Sequence, residues 1–164
     1  FNFIDNFRKN KLRRNLFNYL KKQEITCIFA THDSTDMLGF ADQALVMKEG
    51  KLMANDTSEQ LFNFPPNKYV ASLFKEVNEL ELELFKASAE GKVLIYPTEI
   101  KLSENGNLTA KVIKSYFNGT DYFVEAEANN DQKIYFNSTE FLEAAATIQL
   151  QIDEELLQQR KVKD

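Results

Sequence analysis

The sequence predicts an α/β segment followed by an all-β barrel or sandwich. Three observations lead there. The first part mixes helical periodicity with a continuous apolar run and a hairpin pattern. The composition shifts near residue 76, where acidic and apolar residues begin to alternate. Beyond residue 93 short β-type runs recur with turn residues between them.

The first helix is expected from about Asp5 to Lys22. Phe7, Leu12, Leu16, Tyr19 and Leu20 fall near helical spacing, with Arg8, Lys9, Lys11, Arg13, Arg14, Lys21 and Lys22 between them. Asp5 suits the N-cap, and the basic last turn suits the negative end of the helix dipole. The basic residues read as a solvated face, because the chain as a whole is acidic. Ile25–Ala30 is apolar without alternation, the pattern of a buried parallel strand. Cys27 lies inside it and reads as a small core residue.

That run ends abruptly in Thr31-His32-Asp33, and Asp33 or Ser34 can cap a short helix to Phe40. His32, the only histidine of the chain, then stands at the carboxyl end of a core strand. Ligands bind there in open α/β sheets. Taken alone, the same position also fits a polar loop residue.

Ala44–Met47 and Lys51–Ala54 read as a hairpin around Lys48-Glu49-Gly50, where Gly50 can take positive φ. Asp56-Thr57-Ser58-Glu59 caps a helix over Glu59–Phe64, and Pro65-Pro66 ends it. Asn67 caps a further helix through Tyr69, Val70, Leu73 and Phe74. A lone parallel strand cannot satisfy its backbone groups. Its neighbours are expected from sequence upstream of Phe1, from a second copy, or from a rearranged packing. An edge left bare would drive self-association.

From Glu76 to Phe85 the alternation predicts a strand with one wet face. Val93–Tyr96 is an apolar strand closed by Pro97. Strands follow over Leu108–Phe117, Tyr122–Ala128, Lys133–Phe136 and Thr147–Ile152. Turns at Glu104-Asn105-Gly106, Asn118-Gly119-Thr120-Asp121 and Asn129-Asn130-Asp131 separate them. The division is thus 1–75 for the α/β part, 76–155 for the β domain, and 156–164 for a polar tail expected to fray.

Composition narrows the function. The 164 residues are 43% hydrophobic and 27% charged, a globular balance. A net charge of −5 argues against a nucleic-acid partner. The single cysteine rules out an intramolecular disulfide. No apolar run reaches the roughly 20 residues of a membrane helix, so any link to a membrane is expected through a partner. The chain opens on Phe1-Asn2-Phe3 rather than Met, and its core is expected to continue upstream.

Thr31-His32-Asp33 after an apolar run resembles the switch, or H-loop, of ABC-transporter ATP-binding subunits. The likeness continues through the following helix, Ala41-Asp42, Val46-Met47 and Gly50. Phe1-Asn2-Phe3-Ile4-Asp5 resembles the end of the Walker B region and the D-loop. Thr57 to Phe62, Pro66 and Tyr69-Val70-Ala71 resemble the segment that closes the nucleotide-binding domain. The second part is similar to a TOBE domain, the OB-like β module of importer ATPases. Its opening motif matches at Pro97 and Ile100, while Tyr96 stands for the usual Arg and Thr98 for the usual Glu.

The resemblance implies the carboxy-terminal part of a P-loop NTPase domain followed by an OB-like TOBE barrel. It implies that His32 contacts the γ-phosphate of ATP or its attacking water, and that Asn2, Ile4 and Asp5 act at the interface between two ATPase subunits. Full-length subunits of this family use ATP and magnesium, work as a pair on transmembrane permease subunits at the inner face of the cell membrane, and couple hydrolysis to uptake. Iron(III) or a polyamine is the solute expected. No Gly-x-x-x-x-Gly-Lys-Ser/Thr motif occurs in the chain, so these residues alone are expected to be inactive, with no cofactor or metal held. The competing expectation is a free-standing β-barrel binding or dimerisation module without ATPase activity. An oligonucleotide-binding OB-fold is disfavoured by the acidic sequence.

Overall fold

The computed structural model describes residues 6–85 and 89–162, with side chains from residue 11 onward. It is a mixed α/β molecule with more strands than helices. Its larger sheet is antiparallel and curled.

Helix α1 spans Asn6–Lys22 and ends in Lys21 and Lys22, as the dipole favours. The stripe it turns inward differs from the one expected. Arg13, Phe17 and Leu20 are half-buried, whereas Leu12, Leu16 and Tyr19 are 64%, 50% and 59% exposed. Phe17 stacks on Phe40 at 4.6 Å and tilts against Phe29 at 4.8 Å, which ties α1 to the chain that follows. The Asp5 cap lies outside the described residues.

Residues 25–30 are not a strand. They are irregular and mostly exposed, with Ile28 at 92%. The physical reason is the one that makes parallel strands social: backbone groups need a ladder on each side. Among the described residues no strand runs beside this segment. Cys27, expected in the core, is exposed for the same reason.

The expected helix after His32 forms as α2, Ser34–Phe40. Strands β1 (Ala44–Lys48) and β2 (Lys51–Asp56) pair antiparallel. Their turn places Glu49 at φ 50° and Gly50 at φ 76°, the left-handed pair that a tight hairpin requires. Helices α3 (Ser58–Asn63) and α4 (Lys68–Phe74) carry the expected caps. Thr57 Oγ1 accepts from the Gln60 amide, and Asn67 Oδ1 from the Val70 amide. Ala44, Val46, Leu61, Val70 and Phe74 form the small core of this part.

In the second part, β3 is shorter than the alternation promised. It covers Asn78–Glu81 and gives way to a 3₁₀ turn at Leu82–Leu84. It pairs with β4, Lys92–Ile95. After a second 3₁₀ turn at Pro97–Glu99 come β5 (Lys101–Leu102), β6 (Leu108–Phe117), β7 (Tyr122–Ala128), β8 (Lys133–Ser138) and β9 (Thr147–Gln151). They form one antiparallel sheet in the order β5-β9-β6-β7-β8. Alternate residues face inward, as in Val124, Ala126 and Ala128 of β7 and Ile134 and Phe136 of β8.

The sheet curls without joining its own edges by backbone ladders. Two asparagine side chains add bonds between strands: Asn78 ties β3 to the edge strand β8, and Asn107 extends the existing β6–β9 pairing past its end. Asn78 Oδ1 accepts from the Tyr135 amide at 2.7 Å, and Asn78 Nδ2 donates to the Tyr135 carbonyl at 2.8 Å. Asn107 does the same for Ile152, accepting at 3.0 Å and donating at 2.8 Å. Each side-chain amide acts as one more peptide unit in the ladder. Near the second bridge, a Cβ on Gly106 would overlap the Leu150 carbonyl, so that turn takes no side chain.

The expected frayed tail is a correction. Helix α5 (Glu154–Gln159) follows β9, capped by Asp153. The chain then lies along β4, where the Val162 amide donates to the Lys92 carbonyl at 2.8 Å. Leu157 and Arg160 are buried there at 8% and 5% exposure.

Candidate functional site

The loop around His32 is built by short-range bonds. Asp33 takes extended angles and caps α2, accepting from the Thr35 amide at 2.9 Å. The Asp33 amide donates to Thr31 Oγ1 at 3.0 Å, and Thr31 Oγ1 donates to Asp36 Oδ2 at 3.2 Å. His32 is the exposed residue between these two anchored neighbours. The bond from the Thr35 amide, helped by the Thr35 hydroxyl and by Arg13, holds the Asp33 carboxyl below the usual carboxylate range.

Asp36 is buried at 5% exposure, and a buried carboxylate needs a counter-charge. Arg13 supplies it. Its Nη1 lies 2.9 Å from Asp36 Oδ1 and 3.4 Å from Asp33 Oδ2. The shorter contact is an ion pair off the line of a hydrogen bond, and the longer one is hydrogen-bonded. The sequence had put Arg13 on the solvated face. It turns inward because two carboxylates wait there.

Asn2, Ile4 and Asp5 lie outside the described residues. Pro97 and Ile100 occupy a different place from His32. Pro97 opens the 3₁₀ turn and is buried, and Ile100, 2% exposed, joins the core of the curled sheet. Among the described residues, no hydrogen bond or ion pair joins them to the His32 loop. Nor do any three His, Cys, Asp or Glu side chains converge as a metal centre would require.

The motif position Tyr96 does more than its neighbours. Its ring stacks on Phe62 of α3 at 4.8 Å and 11°. Its hydroxyl donates to the Phe62 carbonyl at 3.3 Å. Arg160 lies over the Tyr96 ring, 5.1 Å from its centre. Arg160 Nη1 pairs with Glu99 at 2.6 Å, and its Nε donates to the Asn63 carbonyl at 2.7 Å. One guanidinium thus joins the last residue of α3 to the 3₁₀ turn of the β part. Burial, with Glu99 adding and Arg160 opposing, pushes the Tyr96 phenol up to about 12. The fold therefore favours the neutral phenol, and this contribution is complete below pH 10 and is lost as pH rises from 10 to about 12.

Sequence reasoning missed Arg13, Asn78 and Arg160 as organising residues. The only available signal was Arg160 itself, the lone arginine of the 156–164 tail.

In sequence the chain is homologous to the ATP-binding subunits of ABC-type importers. Its relatives include the spermidine/putrescine import ATP-binding protein PotA of Clostridium acetobutylicum, 28% identical over 151 residues, a match covering 79% of this chain and 43% of the relative. The protein of the same name in Clostridioides difficile is 30% identical over 139 residues, covering 72% and 40%. That of Desulfitobacterium hafniense is 31% identical over 137 residues, covering 68% and 39%. The matched region is about two fifths of the length of these relatives. No family model matches the chain. Among the described residues, no helix is long and apolar enough to cross a membrane.

Proposed function

We propose that this chain is the part of an ABC importer's ATP-binding subunit that carries the switch histidine and a TOBE-type β module. The observation that carries the reading is the likeness to importer ATP-binding proteins over most of the chain, with His32 exposed on a braced loop. An imidazole there can hydrogen-bond a γ-phosphate oxygen or the attacking water in either tautomer. ATP and magnesium belong to the longer protein, held chiefly by residues outside this chain. Asn2, Ile4 and Asp5 face a second ATPase subunit in this reading, and permease subunits hold the pair at the membrane. The likeness to spermidine/putrescine import proteins favours a polyamine as solute over iron(III).

Two measurements test this. In an ATP-hydrolysing subunit that contains the chain, His32→Ala lowers kcat roughly 10²-fold, with little change in KM for ATP. Unchanged hydrolysis would remove His32 from the reaction. The 164-residue chain by itself gains no thermal stability from micromolar ATP with magnesium, since its sequence contains no phosphate-binding loop. A clear rise in unfolding temperature would contradict that.

A further inference from the structure

Both neighbours of His32 are tied, through side chains, to one residue of α1. Arg13 Nη1 meets Asp36 Oδ1 at 2.9 Å and Asp33 Oδ2 at 3.4 Å. Asp36 Oδ2 accepts from Thr31 at 3.2 Å, and Thr31 accepts from the Asp33 amide at 3.0 Å. The Asp36 side chain is 8% exposed and that of Arg13 25%, so water screens their pair poorly, whereas Asp33 at 40% is open to water. Beyond this network the flanking chain is held by Phe17 of α1, which packs on Phe29 before the loop and on Phe40 after it. The segment before it is irregular, and α2 after it has seven residues.

We propose that Arg13 is the positioning residue for His32, acting through Asp36 and Thr31. Without the guanidinium, the buried Asp36 carboxylate must take up a proton or turn outward to water. Turning outward, it leaves the Thr31 hydroxyl without its acceptor. Protonated, it loses the charge that makes that bond strong. Either way residues 31–33 lose their anchor, and His32 is presented in many directions instead of one. Helix α1 thereby sets the aim of a histidine about 20 residues further along the chain. The role in catalysis rests on the reading of His32 as the γ-phosphate contact. The positioning itself does not.

The chain offers a direct probe, because His32 is its only histidine and gives the only imidazole signals in a proton NMR spectrum. The experiment uses the whole chain without nucleotide, so it reads positioning independently of phosphate contact. The amide heteronuclear NOE of residues 31–33 in the parent should match that of α2. In Arg13→Ala it should fall to values typical of mobile loops, with the His32 ring signals moving to those of a free histidine. Thr31→Val removes the linking hydroxyl without changing charge or shape. It should release His32 in the same way while the α1 amides stay in place. The two substitutions together should do no more than either alone, as expected for one shared network. Lys21→Ala breaks the exposed 2.8 Å pair between Lys21 of the same helix and Asp42, and should leave His32 unmoved. Parent-like ring signals and amide NOEs in Thr31→Val would overturn the proposal, even if Arg13→Ala failed to fold. So would an equal release of His32 in Lys21→Ala.

Discussion

Arg160→Ala is expected to cost about 3 kcal/mol and to lower the unfolding temperature by roughly 6–12 °C. The Arg160 side chain is 3% exposed and that of Glu99 19%, so the pair sits in a poorly hydrated seam. Truncation leaves the Glu99 carboxylate without its counter-charge and the Asn63 carbonyl without its donor. It also uncovers one side of the Tyr96 ring. Lysine at 160 should recover only part of the loss. An ammonium keeps the charge but lacks the planar fork that reaches Glu99 and Asn63 together beside the Tyr96 ring. Thermal unfolding of the three proteins checks this. A midpoint within about 2 °C of the parent for Arg160→Ala would show that the seam holds without its guanidinium.

Asn78→Ala should be nearly as damaging, at about 3 kcal/mol. Asn78 is 3% exposed, and its amide donates to the Ile95 and Tyr135 carbonyls and accepts from the Tyr135 N–H. Removing it strands backbone groups on the edge of β8, each costing about 1–3 kcal/mol when no water replaces the partner. Asn78→Asp is the informative companion. It keeps the acceptor for the Tyr135 N–H, loses both donations and brings a charge into a buried site. Amide hydrogen exchange at Tyr135 should accelerate with Asn78→Ala far more than exchange at Ala126, in the middle strand β7 of the sheet. Equal acceleration at both sites would mean that Asn78 supports the whole sheet rather than its edge.

These residues also mark where the sequence could and could not be read. The hairpins of the β part were legible because their information is local. Asn118-Gly119 and Asn129-Asn130-Asp131 sit between alternating runs, and β6, β7 and β8 fall where those signals place them. The Asn67 cap was legible for the same reason, and the others to within a residue or two: Asp33 over Ser34, and Thr57 within Asp56–Glu59. Ile25–Ala30 was misread as a strand because composition reports what a segment prefers, and pairing depends on what lies beside it. The tail was misread because its partner is remote. Arg160 binds Asn63 from 97 residues away, and no periodicity records that. The candidate site divides the same way. His32 was visible as the end of a motif, while Arg13 looked like one more surface cation until the fold placed two carboxylates against it.

The seam also has an order in time. Chains emerge from synthesis with the amino-terminal end first, and compact units begin to fold as they appear. Both cores, the one around Val46 and Phe74 and the one inside the curled sheet through Ile152, are complete in sequence before residue 160 is added. The guanidinium contact is therefore a late addition to a seam whose Phe62–Tyr96 stack is already present in the chain. A nascent chain that ended at residue 159 would carry the Phe62–Tyr96 stack but lack the guanidinium that ties Asn63 to Glu99.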